Sequence, residues 1–119
     1  MIDTNLGVVE THFADIIWQN EPIHSRELAK ICAEELHWKR PTTYNVLRKL
    51  CEKGIFQNKD GIVSSIISRQ DFYGIRGENF VEEAFDGSLP AFVAAFTSRK
   101  KLSDAEVREL MDIIDKGRR

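Results

Sequence analysis

The run Trp-Lys-Arg-Pro-Thr-Thr-Tyr-Asn-Val-Leu-Arg-Lys-Leu-Cys-Glu-Lys-Gly, Trp38 to Gly54, constrains the chain most, because it reads as one exposed helix carrying its own start and stop. Pro41 pre-sets the backbone for a first helical turn, and Gly54 supplies a left-handed stop. On a period of 3.6, Thr43, Val46, Leu47 and Leu50 share one side, while Tyr44, Asn45, Arg48, Lys49 and Glu52 fall mostly on the other. The first side is suited to packing. The second combines two cations, an amide and a phenol with the Thr42 hydroxyl, groups that bond phosphates and base edges in a major groove. Taken alone, such a face is more often just the solvated side of a surface helix. Its neighbours in the chain decide between the two readings.

Upstream, residues 5 to 19 place Val9, Phe13, Ile16 and Ile17 at helical spacing, and Asn20-Glu21-Pro22 breaks the pattern. Ser25 follows as an N-cap for a second helix whose buried stripe is Leu28, Ile31, Cys32 and Leu36. A supporting helix and two short helices joined by the tight link His37-Trp38-Lys39-Arg40 make a helix-turn-helix, in which the second of the pair enters the groove. Downstream, Asp60-Gly61 separates Ile55 to Lys59 from Ile62 to Ile67, two strand-like runs, which is a strong hairpin signal. A helix-turn-helix followed by a hairpin is a winged helix.

The formal net charge of −2 argues mildly against nucleic acid as a global average, but the local distribution carries more. Between Lys39 and Lys59 the cations Lys39, Arg40, Arg48, Lys49, Lys53 and Lys59 are opposed only by Glu52, whereas carboxylates gather in the second half at Glu78, Glu82, Glu83, Asp86 and through 104 to 115. The candidate DNA contacts are therefore Lys39, Arg40, Thr42, Thr43, Tyr44, Asn45, Arg48, Lys49 and Lys59, with Thr43 included although its helical position lies toward the packing side.

From Ser68 the pattern is helical. A segment from Asp71 to Phe85 stops at Gly87, Ser88 caps a helix over Leu89 to Thr97, and Ser103-Asp104-Ala105-Glu106 is a capping box opening a last helix that buries Val107, Leu110, Met111 and Ile114. Residues 69 to 119 are too few for an independent core without disulfides or metal. Such a lobe buries itself most simply against its own copy, giving a two-fold dimer through Phe80, Phe85, Leu89, Phe92, Val93, Phe96, Val107, Leu110 and Ile114. Packing back on the first lobe is the competing arrangement. Two winged helices on a two-fold axis match a palindromic operator in double-stranded DNA.

The expected fold is thus mainly α with a small β-hairpin: a winged helix-turn-helix DNA-binding domain over 1–68 and a helical dimerisation region over 69–119. No run of about 18 apolar residues spans a membrane, and Met-Ile-Asp-Thr-Asn lacks the basic start of a signal peptide, so a cytoplasmic location is expected. Cys32 and Cys51 read as free thiols on apolar helix faces, and His12, His24 and His37 lack zinc spacing, so neither metal nor cofactor is implied.

These residues resemble the penicillinase and methicillin-resistance repressors, the BlaI/MecI family, with the copper repressor CopY as a relative. The resemblance covers nearly the whole chain. It rests on Ile17-Trp18, Ile23 to Leu28, Trp38 with Thr42, Leu47 to Leu50, Lys53-Gly54, Phe80 with Phe85-Asp86-Gly87-Ser88-Leu89, and Leu102 to Glu106. It implies a homodimeric winged-helix repressor that binds operator DNA through the helix after Trp38 and dimerises through its C-terminal helices. It also implies that Thr42, Tyr44, Asn45 and Arg48 face bases or phosphates and that Lys49 takes the place of a family basic residue. Four features depart from the family pattern. Pro41 stands one residue later than the usual Ser-Pro, and Gly61 leads into Ile62-Val63-Ser64-Ser65-Ile66 where Gly-Arg and aromatics are typical. Ala95-Phe96 stands where antibiotic-responsive members carry a cleaved Asn-Phe bond, and no cysteine cluster follows Cys51. A regulatory protease or sensor is not named by these residues.

Catalysis is not expected, because no nucleophile triad, phosphate loop or paired carboxylate occurs in its required context; Glu34-Glu35 and Glu82-Glu83 diverge by about 100° on their helices. The alternative function is a winged-helix protein-interaction module without DNA binding, which weak salt dependence would reveal. A small-ligand sensor would need a pocket around Phe72, Tyr73 and Phe80, aromatics that more often belong to a core.

Overall fold

A computed structural model describes residues 2–118. Six helices and three strands follow in the order α1 (Val8–Asn20), β1 (Ile23–His24), α2 (Ser25–Glu35), α3 (Arg40–Glu52), β2 (Phe56–Lys59), β3 (Ile62–Ser65), α4 (Arg69–Phe85), α5 (Leu89–Arg99) and α6 (Asp104–Lys116). The chain forms two compact units, the first ending at Gly77 and the second beginning at Glu78, so the division falls inside α4.

In the first unit the expected winged helix is present. Phe13, Ile17, Leu28, Cys32, Leu47, Leu50, Ile55, Phe56 and Val63 are all buried and form one cluster under the sheet and between α1, α2 and α3. Fully burying a Leu, Ile or Phe contributes about 1.5–3 kcal/mol, so this cluster is what holds the three helices together. Val9, assigned by spacing to the same face, is 54% exposed, because α1 begins only at Val8 and its first turn lies outside the core. The unit continues past residue 68: Phe72 is buried, its ring 5.2 Å from that of Trp18, and Tyr73 packs beside both. Arg69 adds an ion pair to Asp15 at 2.8 Å.

The sheet has three strands rather than the hairpin alone, in the order β1-β3-β2 and antiparallel throughout. Lys59 pairs with Ile62, which leaves Asp60 and Gly61 as a two-residue turn with φ of 52° and 90°, the left-handed pair that a type I′ hairpin demands. A Cβ added to Gly61 would come within 2.7 Å of His24 Nε2, so both conformation and space require glycine there. The N-cap of α2 is His24 and not Ser25: its Nδ1 accepts from the Arg26 amide, while Ser25 occupies the first helical position. The side chain of Glu21, just past α1, accepts from the Ser65 amide at 2.8 Å and from its hydroxyl, tying that corner to β3.

The second unit holds α5, α6 and the end of α4. Asp86 and Gly87, both at positive φ, turn the chain out of α4, and the Ser88 hydroxyl caps α5 by accepting from the Ala91 amide. The capping box opening α6 forms as the sequence requires, with Ser103 accepting from the Glu106 amide and Glu106 accepting from the Ser103 amide. The Ser103 amide, and after it the Ser103 hydroxyl, hydrogen-bond the Glu106 carboxyl and hold it below the usual carboxylate range. Phe80, Phe85, Phe92 and Phe96 form a chain of ring contacts with centroids 5.6 to 6.2 Å apart. The expectation that α6 buries its apolar stripe is not met within one chain: Met111 and Ile114 are 62% and 61% exposed, and Val107 and Leu110 are also exposed. A unit of this size has too little interior to cover them.

Candidate nucleic-acid interface

The outer face of α3 is built by the helix's own register. Thr43, Leu47 and Leu50 point inward and are buried, which leaves Thr42, Asn45, Arg48 and Lys49 exposed and Tyr44 half-buried beside them. The helix is stopped by two hydrogen bonds, Gly54 amide to Cys51 carbonyl and Ile55 amide to Leu50 carbonyl, around Gly54 at φ 83°. That is a Schellman arrangement, with Ile55 and Leu50 both fully buried beneath it.

Thr43 is the one candidate contact that the structure removes. It is fully buried, and its hydroxyl is turned toward Cys32 on α2, with no oxygen or nitrogen partner. The 3.6 period puts it on the packing side, and the packing prevails over the polar side-chain type. Burial pushes the Cys32 thiol up to about 11, with the Thr43 hydroxyl opposing and the Glu35 charge reinforcing that rise.

The electrostatics of the face follow from what its cations lack. Among the described residues, Lys30, Lys53, Arg69, Lys116 and Arg118 are paired with carboxylates, whereas Lys39, Arg40, Arg48, Lys49 and Lys59 enter no ion pair. Arg26, Arg76, Arg99, Lys100, Lys101 and Arg108 enter none either, but the former five are the ones gathered on α3, its N-cap and the wing. Lys53, one of the basic run in the sequence, is thereby withdrawn: its Nζ donates to the Asn5 carbonyl at 2.6 Å and lies 3.6 Å from Asp3. With the Asp3 amide donating to the Lys53 carbonyl, the N-terminal segment is strapped across the end of α3. The other end of α3 has no acidic residue in its first turn and no side-chain cap, so its unopposed N–H groups and Lys39 and Arg40 present positive charge together.

The wing joins this face through a residue that no sequence motif singles out. Tyr44, Leu47, Arg48 and Cys51 of α3 and Asn58 of β2 line a common open cavity of about 280 Å³. Asn58 Oδ1 accepts from the Gly61 amide, which holds the turn and leaves the other end of that carboxamide as a donor next to Lys59. No pattern in the run Phe56-Gln57-Asn58-Lys59 distinguishes Asn58 from an ordinary turn residue; the strand register that brings it to α3 is the only signal. Cys51 lies half-buried in the same cavity, its thiol raised chiefly by burial. The arrangement offers cations, an amide, a hydroxyl and a phenol on a convex helix with a strand beside it, which suits a polyanion with readable edges.

Comparison with known proteins agrees with this geometry. The family model described as penicillinase repressor matches residues 6–116. The penicillinase repressor of Bacillus licheniformis is 24% identical over 110 residues, covering 89% of this chain and 86% of that protein. The methicillin resistance regulatory protein MecI of Staphylococcus aureus strain Mu50 is 24% identical over 115 residues, covering 93% and 94%. The MecI of Mammaliicoccus sciuri is 23% identical over the same length. With a winged helix in the first unit and a family match running through the second, the chain belongs to the penicillinase repressor family, a family of transcriptional repressors rather than enzymes.

Proposed function

We propose that the protein represses transcription as a homodimer, each protomer laying α3 in the major groove of one half of a palindromic operator. Lys39, Arg40, Thr42, Tyr44, Asn45, Arg48, Lys49 and Lys59 make the contacts, with Asn58 added from the wing. The observation that carries this reading is the gathering of five cations without an ion pair on and beside α3, around an exposed amide and hydroxyl, in a chain whose net charge is negative. The relatives' names, penicillinase repressor and methicillin resistance regulatory protein, support regulation of transcription. The winged helix is the DNA-binding domain and the C-terminal helical region the dimerisation domain, with a cytoplasmic site of action.

The dimer is supported by the second unit's exposed apolar side chains. Leu89, Val93, Phe96 and Phe80 on α4 and α5, and Val107, Leu110, Met111 and Ile114 on α6, are each 39% or more exposed. A partner copy would cover these side chains, which a monomer would leave in water. The experiment is a gel-shift on the DNA upstream of the protein's own coding sequence against a random duplex of equal length. A shift restricted to the former is expected, and equal retardation of both would contradict operator recognition.

A further inference from the structure

Two glycines of α4 have no local reason to be glycine. Gly74 and Gly77 lie in the middle of a continuous helix, both are exposed, neither is at positive φ, and a Cβ added to either meets nothing within 4 Å. Elsewhere glycine is required: Gly61 and Gly87 have positive φ and a neighbour 2.7 Å from the absent Cβ. Each glycine in an exposed helix interior makes the helical state roughly five-fold less favourable than alanine would.

Their place in the helix is specific. On the N-terminal side, Arg69, Phe72 and Tyr73 anchor α4 to the first unit through Asp15 and Trp18. On the C-terminal side, Phe80 and Phe85 anchor it to the second unit through Phe92. The division between the units falls directly after Gly77. The helix is thus held by aromatic contacts toward both ends. Between them Ile75 still packs against the first unit's core and Arg76 lies over the Phe72 and Tyr73 rings, so the two exposed glycines are the weak points of the stretch and Gly77, at the division, is the last of them.

We infer that the Gly74–Gly77 segment is a helical hinge, which opens locally so that the DNA-reading unit adjusts to its half-site while the other unit stays in its partner contact. The consequence rests on the operator-binding reading above: a dimer with hinged arms tolerates changes in the spacing of two half-sites, and one with stiff arms does not.

The test is the full-length double variant Gly74→Ala/Gly77→Ala, whose new methyl groups enter open space. Amide hydrogen exchange across residues 74–81 is expected to slow by several-fold, up to roughly twenty-five-fold, against wild type; unchanged exchange would overturn the hinge. On synthetic operators whose half-sites are moved apart or together by one or two base pairs, wild type should lose little affinity and the variant should lose at least ten times more. Identical spacing profiles would also overturn it. If wild type binds none of the duplexes, the operator reading is what fails, and the exchange comparison alone decides the hinge.

Discussion

The amide of Ser25 donates to the carbonyl of Gly61 at 2.7 Å, so the first turn of α2 and the turn of the wing form one unit. The His24 ring lies against the same glycine. Gly61→Ala must therefore accommodate a left-handed backbone and displace the imidazole. A loss of about 1–3 kcal/mol in urea unfolding is expected from the strain and the disturbed cap. An unchanged midpoint would show that the wing turn is free of α2.

Arg48 and Lys49 are adjacent on α3 and both unpaired, yet their roles should differ. Arg48 lines the cavity with Tyr44 and Asn58, a position from which its planar fork can meet a guanine edge. Arg48→Ala should cost about 1–3 kcal/mol of operator affinity and relax preference at one position per half-site. Lys49→Ala should weaken all duplexes alike and reduce the salt slope by about 1. Equal losses for Arg48→Ala on operator and random DNA, read by fluorescence anisotropy, would contradict the assignment.

Asn58 can be separated from its structural duty. Asn58→Asp keeps an oxygen to accept from the Gly61 amide but replaces the donor with a negative charge. Operator affinity should fall roughly ten-fold or more while the unfolding midpoint hardly moves. Unaltered affinity would place the wing away from DNA.

The Cys32 thiol, raised by burial from 9.0 to about 11, gives a pH dependence with a definite sign. The folded state favours the neutral thiol, so its contribution is fully present below about pH 9 and is lost as pH rises through about 11. In urea titrations from pH 8 to pH 11, Cys32→Val should lose less stability than wild type does. Parallel curves would contradict a thiol held neutral by its surroundings.

Phe92 is the ring shared by three contacts of the second unit, to Phe80, Phe85 and Phe96. Phe92→Asp should shift the sedimentation equilibrium toward monomer, because a charge there disrupts the apolar surface offered to a partner. A mass unchanged from that of wild type, at twice the chain or at one, would refute the dimer through this region.

Much of the fold is legible in the sequence because it rests on local signals. The stop at Gly54, the Asp60-Gly61 turn, the Ser88 cap and the Ser103 box each depend on one residue type in one backbone conformation. β1 is not legible, since Ile23 and His24 become a strand only by pairing with Val63 and Ile62, about forty residues away in sequence. For the same reason the local pattern points to Ser25 as the cap of α2 when His24 fills that place. The interface is legible in its helix and not in its surroundings. Helical period brings out Tyr44, Asn45, Arg48 and Lys49, whereas the withdrawal of Lys53 by Asp3 and Asn5 and the approach of Asn58 to α3 are long-range events. Thr43 shows the period prevailing over side-chain polarity: its register assigns it to the interior, and it is buried there.

The central claim is that the unpaired cations of α3 and the wing meet phosphate. Its most direct measurement is the operator dissociation constant as a function of salt. If four phosphates are neutralised, raising salt from about 50 mM to about 200 mM should weaken binding by roughly a hundredfold, a log–log slope near −3.6. A slope near zero, with affinity retained, would identify the face as a protein-docking surface and contradict the repressor account.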